Sequence, residues 1–161
     1  MIIETTSTEI LLVEDEVLIR EKTAEQLRTI GFNVVTAEDG KVALDIFKER
    51  LNSNKPIKVV VTDMKMPNVN GIELIKEISK LQMQTAFIVC SAYEQLKDEL
   101  EKFPCIRRIH IKPLEIRNII QDLITIFTNR EWELIETKTL KETVIHRQAY
   151  EAIQQILLKI I

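Results

Sequence analysis

Five polar residues stand directly after short aliphatic runs. Glu14 and Asp15 follow Ile10 to Val13, Asp63 follows Lys58 to Thr62, Ser91 follows Ala86 to Cys90, and Lys112 follows Arg107 to Ile111. Three carboxylates brought close together repel one another and need a cation to stay ionised. Their all-oxygen donor set suits a hard ion such as Mg²⁺, which also accepts a phosphate oxygen. Lys112 adds a mobile positive charge and Ser91 a hydroxyl donor. Such a set suits the acceptance of a phosphoryl group, whose transition state needs positioned charge at its equatorial oxygens and little else. Asp63 is the natural nucleophile, because an aspartyl phosphate is an established covalent species.

The elements between these residues must bring them together. Val17 to Ile30 has helical spacing, with Val17, Ala24, Leu27 and Ile30 on or near one face and Gly31 placed to stop it. Phe32 to Thr36 reads as a second strand, and Gly40 introduces a helix carrying Val42, Ala43, Leu44, Ile46 and Phe47. The consecutive valines of Lys58 to Thr62 suit a strand buried on both faces. Gly71 leads into a helix with Ile72, Leu74, Ile75 and Ile78. Tyr93, Leu96, Leu100 and Phe103 fit a further helix, and Ile116, Ile119, Ile120, Leu123, Ile124 and Phe127 make an amphipathic one. Strands alternating with helices predict a parallel α/β sheet with helices on both faces. Sites in such sheets form at the carboxyl ends of the strands, where all five residues fall.

Composition removes other chemistries. At 161 residues, 45% hydrophobic and 29% charged, the chain suits one compact domain with some chain left over. Its three glycines, Gly31, Gly40 and Gly71, are too far apart for a G-x-G-x-x-G loop or a phosphate-binding P-loop. A net charge of -3 gives no broad pull toward DNA or an anionic membrane. Cys90 and Cys105 form no C-x-x-C, so neither a disulfide framework nor a zinc knuckle is expected. Met1 to Ile10 does not read as a signal peptide, and no apolar run approaches the roughly 20 residues of a membrane span. A cytoplasmic protein is the expectation.

In order and spacing, Leu12-Val13-Glu14-Asp15-Glu16, Ala37-Glu38-Asp39-Gly40-Lys41-Val42-Ala43-Leu44 and Val59-Val60-Val61-Thr62-Asp63-Met64-Lys65-Met66-Pro67 are similar to one known family, as are Gly71, Ser91-Ala92 and Lys112-Pro113. The chain resembles the receiver domains of two-component response regulators over about Glu9 to Phe127. The resemblance implies a doubly wound, five-stranded parallel sheet of the flavodoxin/CheY-like type, in strand order 2-1-3-4-5. It implies that Asp63 is the phosphoacceptor and that Glu14, Asp15, Asp63 and the backbone carbonyl of Lys65 hold Mg²⁺. By the same resemblance Ser91 is the switch hydroxyl, Lys112 pairs with the phosphoryl group, and Lys65 and Tyr93 tune how long that group lasts. The expected partner is a histidine kinase or phosphotransfer protein. The domain would be no enzyme in the usual sense, with limited self-catalysed phosphotransfer and autodephosphorylation. Two positions depart from the pattern. The acidic pair is Glu-Asp rather than Asp-Asp, and Ile109 stands at the switch position usually held by Tyr or Phe, so output would pass through loop and helix shifts.

Simpler readings stand beside these. Asp15 could favour a helix start through its dipole. His110 alternates with Ile109 and Ile111 and reads as a polar strand residue, and Cys90 reads as a small core residue. A haloacid-dehalogenase-type phosphatase also uses an Asp nucleophile with Mg²⁺, but it needs a second Asp where this chain has Lys65.

These readings divide the chain into a tail over 1–8, a receiver over 9–127 and a helical extension over 128–161. Thr128-Asn129-Arg130-Glu131 has the form of a capping box, which predicts a new helix there. From Ile145 through Ala149, Ile153, Ile156 and Ile160 runs a narrow apolar stripe, close to a coiled-coil seam. Basic and acidic residues balance in this stretch, so it is no DNA arm. It could form a homodimer, pack back on its own domain, or lead into an output domain. In the last case the chain is the regulatory front of a larger signalling enzyme such as a diguanylate cyclase or kinase.

Overall fold

The computed structural model describes residues 9–53, 55–65, 70–82, 84–92, 97–113 and 115–135. The elements alternate as the hydrophobic periodicity predicts. They are β1 (Glu9–Val13), α1 (Val17–Ile30), β2 (Val34–Ala37), α2 (Gly40–Arg50), β3 (Ile57–Asp63), α3 (Gly71–Leu81), β4 (Ala86–Ser91), α4 (Lys97–Leu100), β5 (Ile106–Ile111) and α5 (Ile116–Ile135). The five strands form one parallel sheet in the order β2-β1-β3-β4-β5, the expected topology.

Strand β3 lies at the centre, and Val59, Val60 and Val61 are buried. Burying each such side chain contributes about 1.5–3 kcal/mol. Alternate strand residues (Leu11, Val13, Val60, Phe87 and Val89) pack in one cluster with Ala43 and Phe47 of α2 and Leu74, Ile75 and Ile78 of α3. Helix α1 lies against β1 and β2 with Thr23, Ala24 and Leu27 turned inward.

Local chemistry sets the helix ends. Gly31 closes α1 in the left-handed region at φ 116°, where its N–H reaches the carbonyls of Arg28 and Leu27. Asp39 and Asn70 cap α2 and α3 by accepting from the N–H groups of Val42 and Glu73.

Several expectations are corrected. The spacing puts Val17 on or near one face with the buried Ala24 and Leu27, but Val17, Leu18 and Ile19 are all exposed, Leu18 at 82%. Helical spacing states which residues share a face, not whether another element covers it. Among the described residues α4 stops at Leu100, short of Phe103. Pro104 disfavours helical backbone at Phe103, which instead turns back onto the Leu100 carbonyl and packs against the core cluster. Helix α5 runs unbroken through Thr128–Glu131 to Ile135, so no new helix starts at the capping-box pattern. Neither Gly nor Pro interrupts the chain there, and elongating a helix is easier than nucleating one.

By its contacts the chain divides into one unit over Thr5–Leu114 and another that includes Glu115 onward. In the second, Ile119, Ile120, Leu123 and Ile124 of α5 are buried, as their spacing predicts. Residues 136–161, with the stripe from Ile145 to Ile160, lie outside the described residues, as does Tyr93. Among the described residues no helix is long and apolar enough to cross a membrane.

Candidate phosphoacceptor site

The parallel register assembles the site. Val13 pairs with Thr62, so the next residues, Glu14 and Asp63, emerge side by side at the carboxyl edge. Asp63 pairs with Cys90 and Ser91 with Ile111, which brings Ser91 and Lys112 to the same edge. The Lys112 N–H donates to the Ser91 carbonyl at 2.8 Å, and the Lys112–Pro113 peptide is cis. All five residues singled out by type and spacing therefore belong to one edge of one sheet.

Glu14, Asp15 and Asp63 each offer a carboxylate oxygen, and these oxygens lie within 4.8 Å of one another. Glu14 and Asp63 are buried and Asp15 is exposed. Lys112 Nζ donates to Asp63 Oδ2 at 2.5 Å. The Lys65 N–H donates to Asp63 Oδ1 at 3.2 Å, so both oxygens of Asp63 are oriented. Burial pushes the Glu14 carboxyl up to about 7. Asp15 and Asp63 push the same way, while the Glu16 N–H and the Lys112 charge oppose it. Burial disfavours the charge on Lys112, but its hydrogen bond and attraction to Asp63, with Glu14 beside it, outweigh this and raise its pKa above the ordinary 10.5. This oxygen donor set, with two members buried and one lysine against three carboxylates, fits a divalent cation.

Ser91 is 1% exposed. Ile109 is half-buried, stands opposite Val89, and packs against the core cluster. Two supporting roles escaped the sequence reading. Arg20 of α1 donates from Nη1 to the Glu14 carbonyl at 2.8 Å and the Asp15 carbonyl at 3.4 Å. Gly71 lies so close behind the Asp63 turn that a Cβ there would meet Met64 Cα at 2.8 Å and the Asp63 carbonyl at 2.9 Å. An arginine one turn into the helix after an acidic pair was a usable signal for Arg20. For Gly71 a helix start was visible but the close approach was not.

The sequence matches the response regulator receiver domain family over residues 10–123. The chain belongs to that family. It is 30% identical to the chemotaxis protein CheY of Thermotoga maritima over 116 residues, covering 71% of this chain and 92% of that one. Among solved structures, a response regulator receiver domain protein from Clostridium thermocellum is similar with a TM-score of 0.68 at 30% identity, covering 79% of this chain and 98% of that one. The Thermotoga maritima response regulator TrrA in complex with Mg²⁺–BeF is similar with a TM-score of 0.62 at 28% identity, covering 72% and 96%. Other relatives are much longer. The match spans 21% of a cyclic di-GMP phosphodiesterase from Thermotoga maritima, at 29% identity over 85 residues and 53% of this chain. Receiver domains are signalling domains rather than enzymes in the usual sense.

Proposed function

We propose that this receiver accepts a phosphoryl group on Asp63 from a histidine kinase or phosphotransfer protein. The observation that carries the reading is the Lys112 ammonium 2.5 Å from Asp63 Oδ2, beside carboxylates gathered within 4.8 Å. A carboxylate oxygen of Asp63 attacks phosphorus, a P–O bond forms, and the P–N bond to the donor imidazole breaks. Asp63, Glu14, Asp15 and the Lys65 backbone carbonyl would hold Mg²⁺, which supplies positive charge to the phosphoryl oxygens when bound. Lys112 follows the charge onto the phosphoryl group and Ser91 donates its hydroxyl. Lys65 and Tyr93 stand where side chains bear on the lifetime of the product. With Ile109 in place of an aromatic ring, the change passes through the loops around Ser91 rather than through a swinging ring.

In this reading 9–127 is the receiver, preceded by the tail over 1–8, and 128–161 is a helical extension that dimerises or passes the signal on, in the cytoplasm and without contacting DNA or membrane itself. The test is labelling with acetyl phosphate and Mg²⁺, or binding of beryllofluoride. Wild-type chain is labelled and Asp63→Asn is not; equal labelling of the two refutes the acceptor assignment. Solution mass with and without beryllofluoride tests the extension: a change makes it part of the switch, and a constant dimer makes it a fixed pairing element.

The phosphodiesterase likeness favours a second reading, in which the chain regulates a larger signalling enzyme, for example a cyclase or kinase, joined through the extension. The sequence of the gene beyond the codon for Ile161 decides it, a stop codon there removing this reading.

A further inference from the structure

We propose that Arg20 is a positioning residue for the cation site, holding the Glu14–Asp15 turn through its main-chain carbonyls rather than through its carboxylates. The inference rests on the reading of that site given above. The half-buried Arg20 stands in α1 with acidic side chains on both sides in sequence, at Glu16 and Glu21. Yet its hydrogen bonds go to carbonyl oxygens, at 2.8 Å on Glu14 and 3.4 Å on Asp15, both from Nη1. The guanidinium is planar and permanently charged, and the two N–H groups of Nη1 can serve both carbonyls.

The rest of the turn is held by the main chain. The Glu14 N–H donates to the Ala37 carbonyl at 3.1 Å, and Glu14 Oε1 accepts from the Glu16 N–H at 3.2 Å. Arg20 supplies the partner for the remaining group, the Glu14 carbonyl. With the amide, the carbonyl and one carboxylate oxygen all engaged, Glu14 is aimed at Asp63 before any cation arrives. Removing Arg20 strips the Glu14 carbonyl of this donor and lets the turn relax.

Two physical roles predict opposite signs. If Arg20 acted only through its charge, replacing it by a neutral residue would remove a repulsive cation from beside an acidic pocket, and Mg²⁺ would bind more tightly. If it positions the turn, Mg²⁺ binds more weakly, because groups that orient ligands are typically worth 10–100-fold in affinity. The experiment is calorimetric titration of the full chain with MgCl₂ for wild type, Arg20→Met and Arg20→Lys, with circular dichroism melts in EDTA.

The expected result is a Kd raised about tenfold in Arg20→Met and an intermediate rise in Arg20→Lys, which keeps the charge without the rigid, planar guanidinium. With acetyl phosphate, the half-saturating Mg²⁺ concentration rises by the same factor, while the rate at saturating Mg²⁺ changes far less. An unchanged or lowered Kd in a folded Arg20→Met protein overturns the proposal, as does a fall in the saturating rate as large as the loss of affinity. If Arg20→Met does not fold, Arg20→Lys alone decides, an unshifted Kd overturning the proposal. Failure of wild type to bind Mg²⁺, or labelling of Asp63→Asn, instead sinks the underlying reading of the site, and this proposal with it.

Discussion

Two glutamates bracket the first strand and are equally buried. Glu9, at the start of β1, is 6% exposed, and Glu14, just past its end, is 7% exposed. Their surroundings differ. Glu9 Oε1 accepts from Arg50 Nη1 of α2 at 2.6 Å, an ion pair that ties the end of α2 to the sheet. Glu14 faces Asp15 and Asp63, and the nearby ammonium of Lys112 sits on Asp63. Burial leaves the Glu14 carboxyl at about 7. Glu9 has a guanidinium on Oε1, although its Oε2 is buried without a hydrogen bond, whereas Glu14 has carboxylates for its nearest charged neighbours, the arrangement in which an added cation is favourable. The same residue type thus serves cohesion at one end of the strand and, in the function proposed above, cation binding at the other.

The contrast can be broken from the Glu9 side first. Arg50→Met leaves a buried carboxylate without its cation and should cost on the order of 3 kcal/mol, read by urea unfolding. A loss below about 0.5 kcal/mol would mean that the pair is no more than a surface contact. Next in size is Gly71→Ala, which presses a methyl group on the turn carrying Asp63. It should cost about 2 kcal/mol by overpacking and slow labelling by acetyl phosphate, and a variant matching wild type in both would show that the turn has room to move.

From the Glu14 side the sign reverses. Glu14→Gln removes a disfavoured charge, so the metal-free melting point at pH 7.5 should rise by about 3 °C, while stabilisation by added Mg²⁺ shrinks. A lower metal-free melting point would place Glu14 with Glu9 among the structural pairs. The smallest effect is on pH. Because the Glu14 carboxyl titrates near 7 against an ordinary 4.5, the folded state binds the extra proton between those values. Its contribution to stability is therefore largest below about pH 4.5 and is lost as pH rises through 7. Other carboxylates pull the opposite way, so the measurement is the difference between wild-type and Glu14→Gln melts in EDTA from pH 5 to pH 8. A difference independent of pH refutes it.

Much of this was legible in the residues. Chemistry-bearing side chains after aliphatic runs, joined to the rule about strand ends, bring Glu14, Asp15, Asp63, Ser91 and Lys112 to one edge from the sequence alone. What escaped depends on distance rather than order. Nothing in the spacing of Val17 shows that its turn is uncovered. Gly71 looks like any helix start until the Asp63 carbonyl is found against it, and Arg20 looks like a solvated charge until its carbonyl partners are seen. The role of Glu9 could not be read from the sequence, because Arg50, its partner, lies far along the chain.

The place of Asp63 on the central strand has a kinetic meaning. Strand β3 is flanked by β1 and β4, with Val59, Val60 and Val61 nearly inaccessible to solvent. Amide protons in such a strand exchange with solvent only when the whole domain opens, whereas those of loops exchange through small local openings. Asp63, the proposed acceptor, thus sits at the end of a strand whose amides should exchange slowly. In hydrogen–deuterium exchange, beryllofluoride should leave β3 as protected as before and slow exchange in the segments around Lys65 and Ser91, so that a fixed anchor is read out by its surroundings.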